Sequence, residues 1–299
     1  MRPQAAVRAI QPQDHRSTTL EKERVPDLEL HGKVAIVTGA TRKRGLGRAI
    51  ALCLARAGAD VVVTGSGLKP VQDMPVDERE SNWRGATDVA GEVEALGVRA
   101  LAMAVDVTSS AAVRQMVTET AAKLGRIDIL VNNATFARGD DRVPLQELDD
   151  DVWRRIVDVN LNGTMLCCKY AAQQMIQQGA GGTIVSISSA AALKAQANFS
   201  AYCASKAAIH ALNAVLAAEL GSHGITANVI APGILDTARV DMLREGGRWE
   251  KRLSSVPLGR AGTPEEVAEL VRYLCGAHAR WISGDVFLMT GGEVRRAAD

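Results

Sequence analysis

Tyr202-Cys203-Ala204-Ser205-Lys206 carries the most pointed chemistry in this chain. Residues four apart share one face of a helix. A helix here therefore sets an ammonium beside a phenol, which stabilises the phenolate and prepares the hydroxyl as a general acid/base. Taken alone, the spacing reads equally as a half-buried surface pair. Ser189 lies 13 residues upstream, at the end of the apolar run Thr183–Ser188. The carboxyl ends of strands are where open α/β sheets bind ligands, and a hydroxyl there donates to a developing alkoxide. Taken singly, Ser188 or Ser189 merely ends a strand. The third feature is the turn Thr38-Gly39-Ala40-Thr41-Arg42-Lys43-Arg44-Gly45-Leu46-Gly47. Glycines between a strand and a helix let the backbone approach a pyrophosphate at the positive helix end, although a plain structural turn has the same look. The five histidines are scattered without ligand spacing, so no metal site is expected.

These residues need a frame, and the hydrophobic pattern supplies one. Apolar β-type runs recur at 34–37, 60–64, 100–105, 129–131, 183–188, 226–230 and 286–289. Helical stretches fall between them, around 47–57, 86–96, 111–124, 151–177, 203–221 and 264–276. Apolar strands alternating with helices imply an α/β fold, a single doubly wound domain of about seven parallel strands with helices on both faces. The domain is expected over 31–299. Residues 1–30 are polar, mix both charges and include Pro3, Pro12 and Pro26, which predicts a flexible extension. Glu21, Glu23, Asp27 and Glu29 count against a transit peptide there. Residues 65–85 are long for a connection of typically about 2–6 residues, and loops of that length are functional or disordered.

Composition removes several classes of function. Lys plus Arg total 35 against 34 for Asp plus Glu, and 3% of the 299 residues are aromatic, so neither a basic surface nor stacking platforms for nucleic acid are expected. The odd count of five cysteines, without Cys-x-x-Cys spacing, argues against a disulfide framework and for a reducing cytoplasm. No stretch of 18 apolar residues is present, so no membrane span is expected.

Over about residues 32–292 the motifs resemble those of the short-chain dehydrogenase/reductase family, most of all its 3-oxoacyl-carrier-protein reductases. The marks are the glycine loop at 38–47, Asp106-Val107, Asn132-Asn133-Ala134, Val159-Asn160-Leu161, Ser189, Tyr202 with Lys206, Pro232-Gly233 with Thr237, and Pro257-Leu258-Gly259-Arg260 before Thr263-Pro264-Glu265-Glu266. The resemblance implies a catalytic set of Asn160, Ser189, Tyr202 and Lys206. Tyr202 is then the proton donor, Lys206 the residue that assists it and holds the nicotinamide ribose, Ser189 the donor to the substrate oxygen, and Asn160 a helix-bending anchor for a proton relay. It implies that Gly39, Thr41, Gly45, Leu46 and Gly47 hold a dinucleotide and that Asp106 and Val107 meet its adenine. Asn132 and Ala134 then sit beside the cofactor, and Pro232, Gly233 and Thr237 meet its nicotinamide end. The implied reaction interconverts a ketone and a secondary alcohol, with a 3-oxoacyl thioester as the first substrate the resemblance suggests. The implied assembly is a homotetramer built on the helices at 151–177 and 203–221. Residues 238–256 match the family's substrate-covering segment, where Trp249 reads equally as pocket lining or as an exposed aromatic.

Two other functions are weighed against this one. A dinucleotide-binding regulator or scaffold is compatible with the fold, but such a chain would be expected to lose part of the catalytic set. The longer glycine loop, with five residues between Gly39 and Gly45, is similar to that of enoyl-carrier-protein reductases. Those enzymes place a tyrosine seven residues before the lysine, where this chain has Phe199. Thr135 stands where the family has glycine, so that turn must accept a β-branched residue. For the cofactor, NAD-binding members end the second strand with an acid that takes the ribose hydroxyl. This strand instead ends Thr64-Gly65-Ser66-Gly67, and Arg42, Lys43 and Arg44 crowd the loop. NADP(H) is therefore expected over NAD(H), with Ser66 adding a hydroxyl to the 2′-phosphate site and Lys69, Arg79 or Arg84 closing over it.

Overall fold

Seven strands are rich in residues that tolerate burial on both sides, and they pair in one parallel sheet. They are β1 (Val34–Val37), β2 (Asp60–Gly65), β3 (Ala100–Ala104), β4 (Ile129–Asn132), β5 (Gly182–Ile187), β6 (Ile225–Pro232) and β7 (Val286–Met289). The order is β3-β2-β1-β4-β5-β6-β7, and every pairing is parallel. The computed structural model describes residues 29–67, 74–136 and 139–293.

Alternation along each strand divides the core between two faces. Ala35 and Val37 of β1 face one apolar cluster, which takes in α1 (Leu46–Arg56), α3 (Ala86–Glu94) and α9 (Pro264–Cys275). Val34 and Ile36 face the other, with α4 (Ser110–Leu124) and α6 (Gly163–Gln178). The remaining helices are α2 (Val76–Glu80), α5 (Asp150–Val157), α7 (Ser200–Leu220) and α8 (Arg248–Leu253). α9 starts where the sequence specifies it. Thr263 and Glu266 cap each other's backbone N–H groups, and Pro264 occupies the first turn.

Two expectations change in detail. The helical stretch at 151–177 is not one helix, because a π-helical turn, Asp158–Asn162, separates α5 from α6 and carries Asn160. The boundary drawn after residue 30 falls inside the packed domain. Leu30 is 1% exposed within the α1/α9 cluster, its N–H donates to Ala57 O at 2.8 Å, and Glu29 pairs with Arg272. The apolar alternation Leu28-Glu29-Leu30 is too short within its polar surroundings to mark an element. Residues 1–28, the rest of the extension expected over 1–30, lie outside the described residues. Truncating Leu30 to Ala removes most of a fully buried side chain and should lower unfolding free energy in urea by about 2–5 kcal/mol. A loss well under 1 kcal/mol would show that the domain begins later.

Candidate active site

The strand order reverses between β1 and β4, and at that point the two crossovers leave on opposite faces and open a crevice at the strand ends. Most of the residues expected at the cofactor and at the reacting carbonyl follow a strand along this carboxyl edge. The glycine loop follows β1, Ser66 follows β2, Asp106 and Val107 follow β3, Asn132 and Ala134 close β4, Ser189 follows β5, and Pro232, Gly233 and Thr237 follow β6. Gly39 has φ +68°, and a Cβ there would come within 2.6 Å of Ala134 Cα. The loop and the β4 turn are thus in backbone contact, which only glycine permits. Thr38 Oγ1 ties the same two segments, accepting from Asn133 N at 3.0 Å and Ala134 N at 3.1 Å.

The crevice suits a dinucleotide on two counts. α1 begins at Gly45, and among the described residues no side chain caps it and no acid lies in its first turn, so its N–H groups remain to receive an anion. Thr64 Oγ1 and Asn132 Oδ1, at the ends of β2 and β4, are buried polar atoms without a hydrogen-bond partner among the described residues. Buried polar groups seldom stay unpaired. Asp106, expected at the adenine, accepts from Thr108 N at 2.9 Å and Thr108 Oγ1 at 2.8 Å, which fixes the carboxylate in the turn after β3.

The catalytic candidates are brought together. Lys206 is buried. Its Nζ donates to Ile187 O at 2.9 Å and lies 5.9 Å from the Tyr202 ring centroid. Burial, and secondly the positive charge of Arg239, push the Lys206 ammonium down to about 7. Ser189 Oγ accepts from Ala191 N at 3.2 Å, which leaves its O–H to donate. Ser188 turns inward instead, with Oγ donating to Lys206 O and touching His210 Nε2, both at 2.9 Å. Asn160 is fully buried. Its Nδ2 donates to Ser205 Oγ at 3.1 Å, while Oδ1 accepts from Thr135 Oγ1 at 3.1 Å and Phe136 N at 2.8 Å. Thr135 is therefore accommodated at the glycine position by a bond to Asn160.

The basic run on the loop is engaged differently from expectation. Arg42 Nη1 donates to Glu78 Oε2 at 2.9 Å, and Lys43 N donates to Glu78 Oε1 at 2.8 Å. Arg44 binds Asp77 of α2 at 3.2 Å and also Asp241. Those hydrogen bonds raise Arg44 and hold both carboxyls below the usual range. Glu78 is 1% exposed. Trp83 Nε1 adds a bond to Thr41 O at 2.8 Å. The described part of the 65–85 segment thus folds over the glycine loop and supplies acids to it. Arg84 is turned to Asp88 at 2.5 Å, and Lys69 lies outside the described residues.

Sequence reasoning missed the residues that surround Tyr202 without belonging to a motif. The Arg142 guanidinium carbon stacks 3.7 Å from the Phe199 ring centroid and lies 5.0 Å from that of Tyr202. Arg239 approaches the Tyr202 ring at 5.5 Å. The position of Arg239, two residues past Thr237 in a segment assigned to substrate covering, was the available signal; for Arg142 none existed. Trp249 is half-buried and stacks on Arg244, 4.7 Å from the guanidinium carbon.

Comparison with known proteins agrees with this geometry. Residues 39–293 match the family model described as enoyl-(acyl carrier protein) reductase. A short-chain dehydrogenase/reductase of Aspergillus oryzae is 40% identical over 267 residues, covering 88% of this chain and 95% of that protein. The 3-oxoacyl-[acyl-carrier-protein] reductase of Synechocystis is 35% identical over 89% of this chain and 98% of its own. Among solved structures, a short-chain alcohol dehydrogenase of Sinorhizobium meliloti superposes with a TM-score of 0.77 at 33% identity, covering 90% of this chain and 98% of that one. With sheet order, strand-end motifs and near full-length relatives in agreement, the chain belongs to the short-chain dehydrogenase/reductase family of oxidoreductases.

Proposed function

We propose that the protein interconverts a ketone and a secondary alcohol, with Tyr202 as the general acid/base. The observation that carries this reading is the cluster of Tyr202, buried Lys206 and outward Ser189 at the sheet edge that also holds the glycine loop. The loop and the α1 N-terminus would hold the pyrophosphate, Asp106 and Val107 the adenine end, and Asn132, Ala134, Pro232, Gly233 and Thr237 the nicotinamide end. A bound nicotinamide dinucleotide supplies or accepts the hydride. Ser189 Oγ–H donates to the carbonyl oxygen, Tyr202 delivers the proton to that oxygen, and the Lys206 ammonium beside the ring stabilises the phenolate left behind. Asn160 holds the turn at Thr135 and Phe136 and, through Ser205, the helix that carries Tyr202.

Phe199, beneath the Arg142 guanidinium, has no hydroxyl to give, which favours carbonyl over enoyl chemistry. 3-Oxoacyl thioesters are the first substrates to assay, on the strength of the resemblance and the Synechocystis relative. A homotetramer remains part of the reading, supported by apolar side chains exposed on the helices concerned: Trp153, Met165, Ile176 and Val215. A cytoplasmic enzyme fits the cysteine usage; among the described residues no helix is long and apolar enough to cross a membrane.

For the cofactor, the proposal departs from the NADP(H) expectation. That expectation needed Arg42, Lys43 and Arg44 available to a 2′-phosphate. Arg42 and Arg44 are offset by Glu78, Asp77 and Asp241, and a second anion beside those carboxylates is repelled. We therefore propose that NAD(H) is used at least as well as NADP(H).

Changing Tyr202 to Phe keeps the ring and removes the transferable proton. Turnover in a ketone-reduction assay should fall roughly 10²–10⁴-fold with dinucleotide affinity retained. Near-normal turnover would overturn the assignment, and dinucleotide binding without turnover in the unmodified protein would favour a scaffold. Steady-state kcat/KM should be at least as high with NADH as with NADPH. Glu78→Gln, which removes the carboxylate charge beside Arg42 and Lys43 N, should move that ratio about tenfold toward NADPH, the worth of one charge-assisted hydrogen bond. A strong NADPH preference in the unmodified enzyme, or a ratio indifferent to Glu78→Gln in a variant of normal Tm, would contradict the assignment.

A further inference from the structure

Three cations surround the Tyr202 ring, and they are not equivalent. Lys206 is taken up by the Ile187 carbonyl. Arg142 is offset by buried Asp141, Nη1 to Oδ2 at 2.8 Å, and lies flat on Phe199. Arg239 is half-buried, 5.5 Å from the Tyr202 centroid, and among the described residues it has no ion-pair partner. The acids nearest it in sequence are committed elsewhere, Asp236 to Arg244 and Asp241 to both Arg44 and Arg244. A guanidinium held close to a second buried cation, without a counter-charge, is electrostatically unfavourable. The depression of the Lys206 ammonium, in part by Arg239, reports the same excess of positive field. An anion entering beside Tyr202 would relieve it.

We propose that Arg239 is an oxyanion subsite for the substrate, so that the ketone reduced at Tyr202 carries a carboxylate which pairs with this guanidinium. The inference rests on the ketone–alcohol reading of the site and narrows its substrate class to oxocarboxylates and the corresponding hydroxycarboxylates. The dinucleotide's phosphates are the other source of an oxyanion within reach, because Ala238 N donates to Arg44 O at 3.0 Å and so lies against the glycine loop. The guanidinium, however, lies 5.5 Å from the centroid of the Tyr202 ring, whose hydroxyl meets the reacting carbonyl in the proposed reaction. Arg also suits the role chemically, since its planar fork pairs bidentately with a carboxylate.

The test compares short-chain oxocarboxylates with their methyl esters in the unmodified enzyme, Arg239→Met and Arg239→Lys. Two binding measurements accompany it: dinucleotide affinity by tryptophan fluorescence, and calorimetric binding of the matching hydroxycarboxylate to the enzyme loaded with oxidised dinucleotide. The acid-to-ester ratio of kcat/KM should fall about tenfold or more in Arg239→Met and recover in part in Arg239→Lys, as expected for loss of a charge-assisted hydrogen bond. Hydroxycarboxylate binding should weaken in parallel, with a smaller change in dinucleotide Kd. An unchanged ratio with active enzyme would overturn the subsite while leaving the ketone–alcohol reading intact. Loss of dinucleotide affinity by the same factor as the ratio would assign Arg239 to the cofactor's phosphates and also overturn it. If no ketone is turned over, the reading of the site fails, and the calorimetry still decides the subsite: Arg239-dependent carboxylate binding supports it, and its absence refutes it.

Discussion

The bond from the buried Lys206 ammonium to the last carbonyl of β5 is the interaction on which the site depends. It is returned by Ser188, whose hydroxyl donates to the Lys206 carbonyl, so helix and strand hold each other at two points. Tyr202, one turn earlier on α7, is thereby held at the end of β5, where Ser189 is the second residue past the strand. An ammonium taken out of water is costly even when hydrogen-bonded. Because burial and Arg239 depress Lys206 to about 7, the cost to folding is present in full below that pH and is relieved as pH rises toward the ordinary lysine value of 10.5. The position is therefore better explained by chemistry than by stability.

The same geometry shows why a parallel sheet is the frame. Six of the seven strands deliver a candidate residue to one edge, although those residues lie as far apart in sequence as Gly39 and Thr237. The central strands β1, β4, β5 and β6 can do this because they are buried along their whole length, with apolar residues predominating. Polar groups collect at the ends: Thr38, Thr64, Asn132 and Ser188 are all buried there.

Sheet and helices were legible in the sequence because each strand is a short apolar run between helical periods, as in Val34-Ala35-Ile36-Val37. The proposed catalytic residues were legible because they sit in local motifs. What could not be read was the set of contacts between segments distant in sequence. The extra residues of the glycine loop and the long 65–85 connection each looked like a separate departure, yet Glu78 and Trp83 of the one bind Lys43, Arg42 and Thr41 of the other. A run of three bases reads as an anion site until its partners are known, and those of Arg42 and Arg44 lie more than thirty residues away. Arg142 escaped for the same reason, since only the fold brings it to Tyr202, whereas Arg239 lay unremarked within the segment matched to substrate covering. The π-helical turn at Asn160 has no periodic signature either, and it is the side chain's bonds to Thr135, Phe136 and Ser205 that reveal its purpose.

The central claim is that this chain moves a hydride between a nicotinamide and a carbonyl carbon, with the proton passing through Tyr202. It is tested most directly by incubating the purified protein with a reduced dinucleotide dideuterated at C4 of the nicotinamide and an oxocarboxylate, then analysing the product by mass spectrometry. The account predicts a hydroxycarboxylate with one deuterium on the carbinol carbon, formed by the unmodified protein and suppressed by Tyr202→Phe. Alcohol without deuterium at that carbon, or labelled alcohol formed equally well without the Tyr202 hydroxyl, would contradict it.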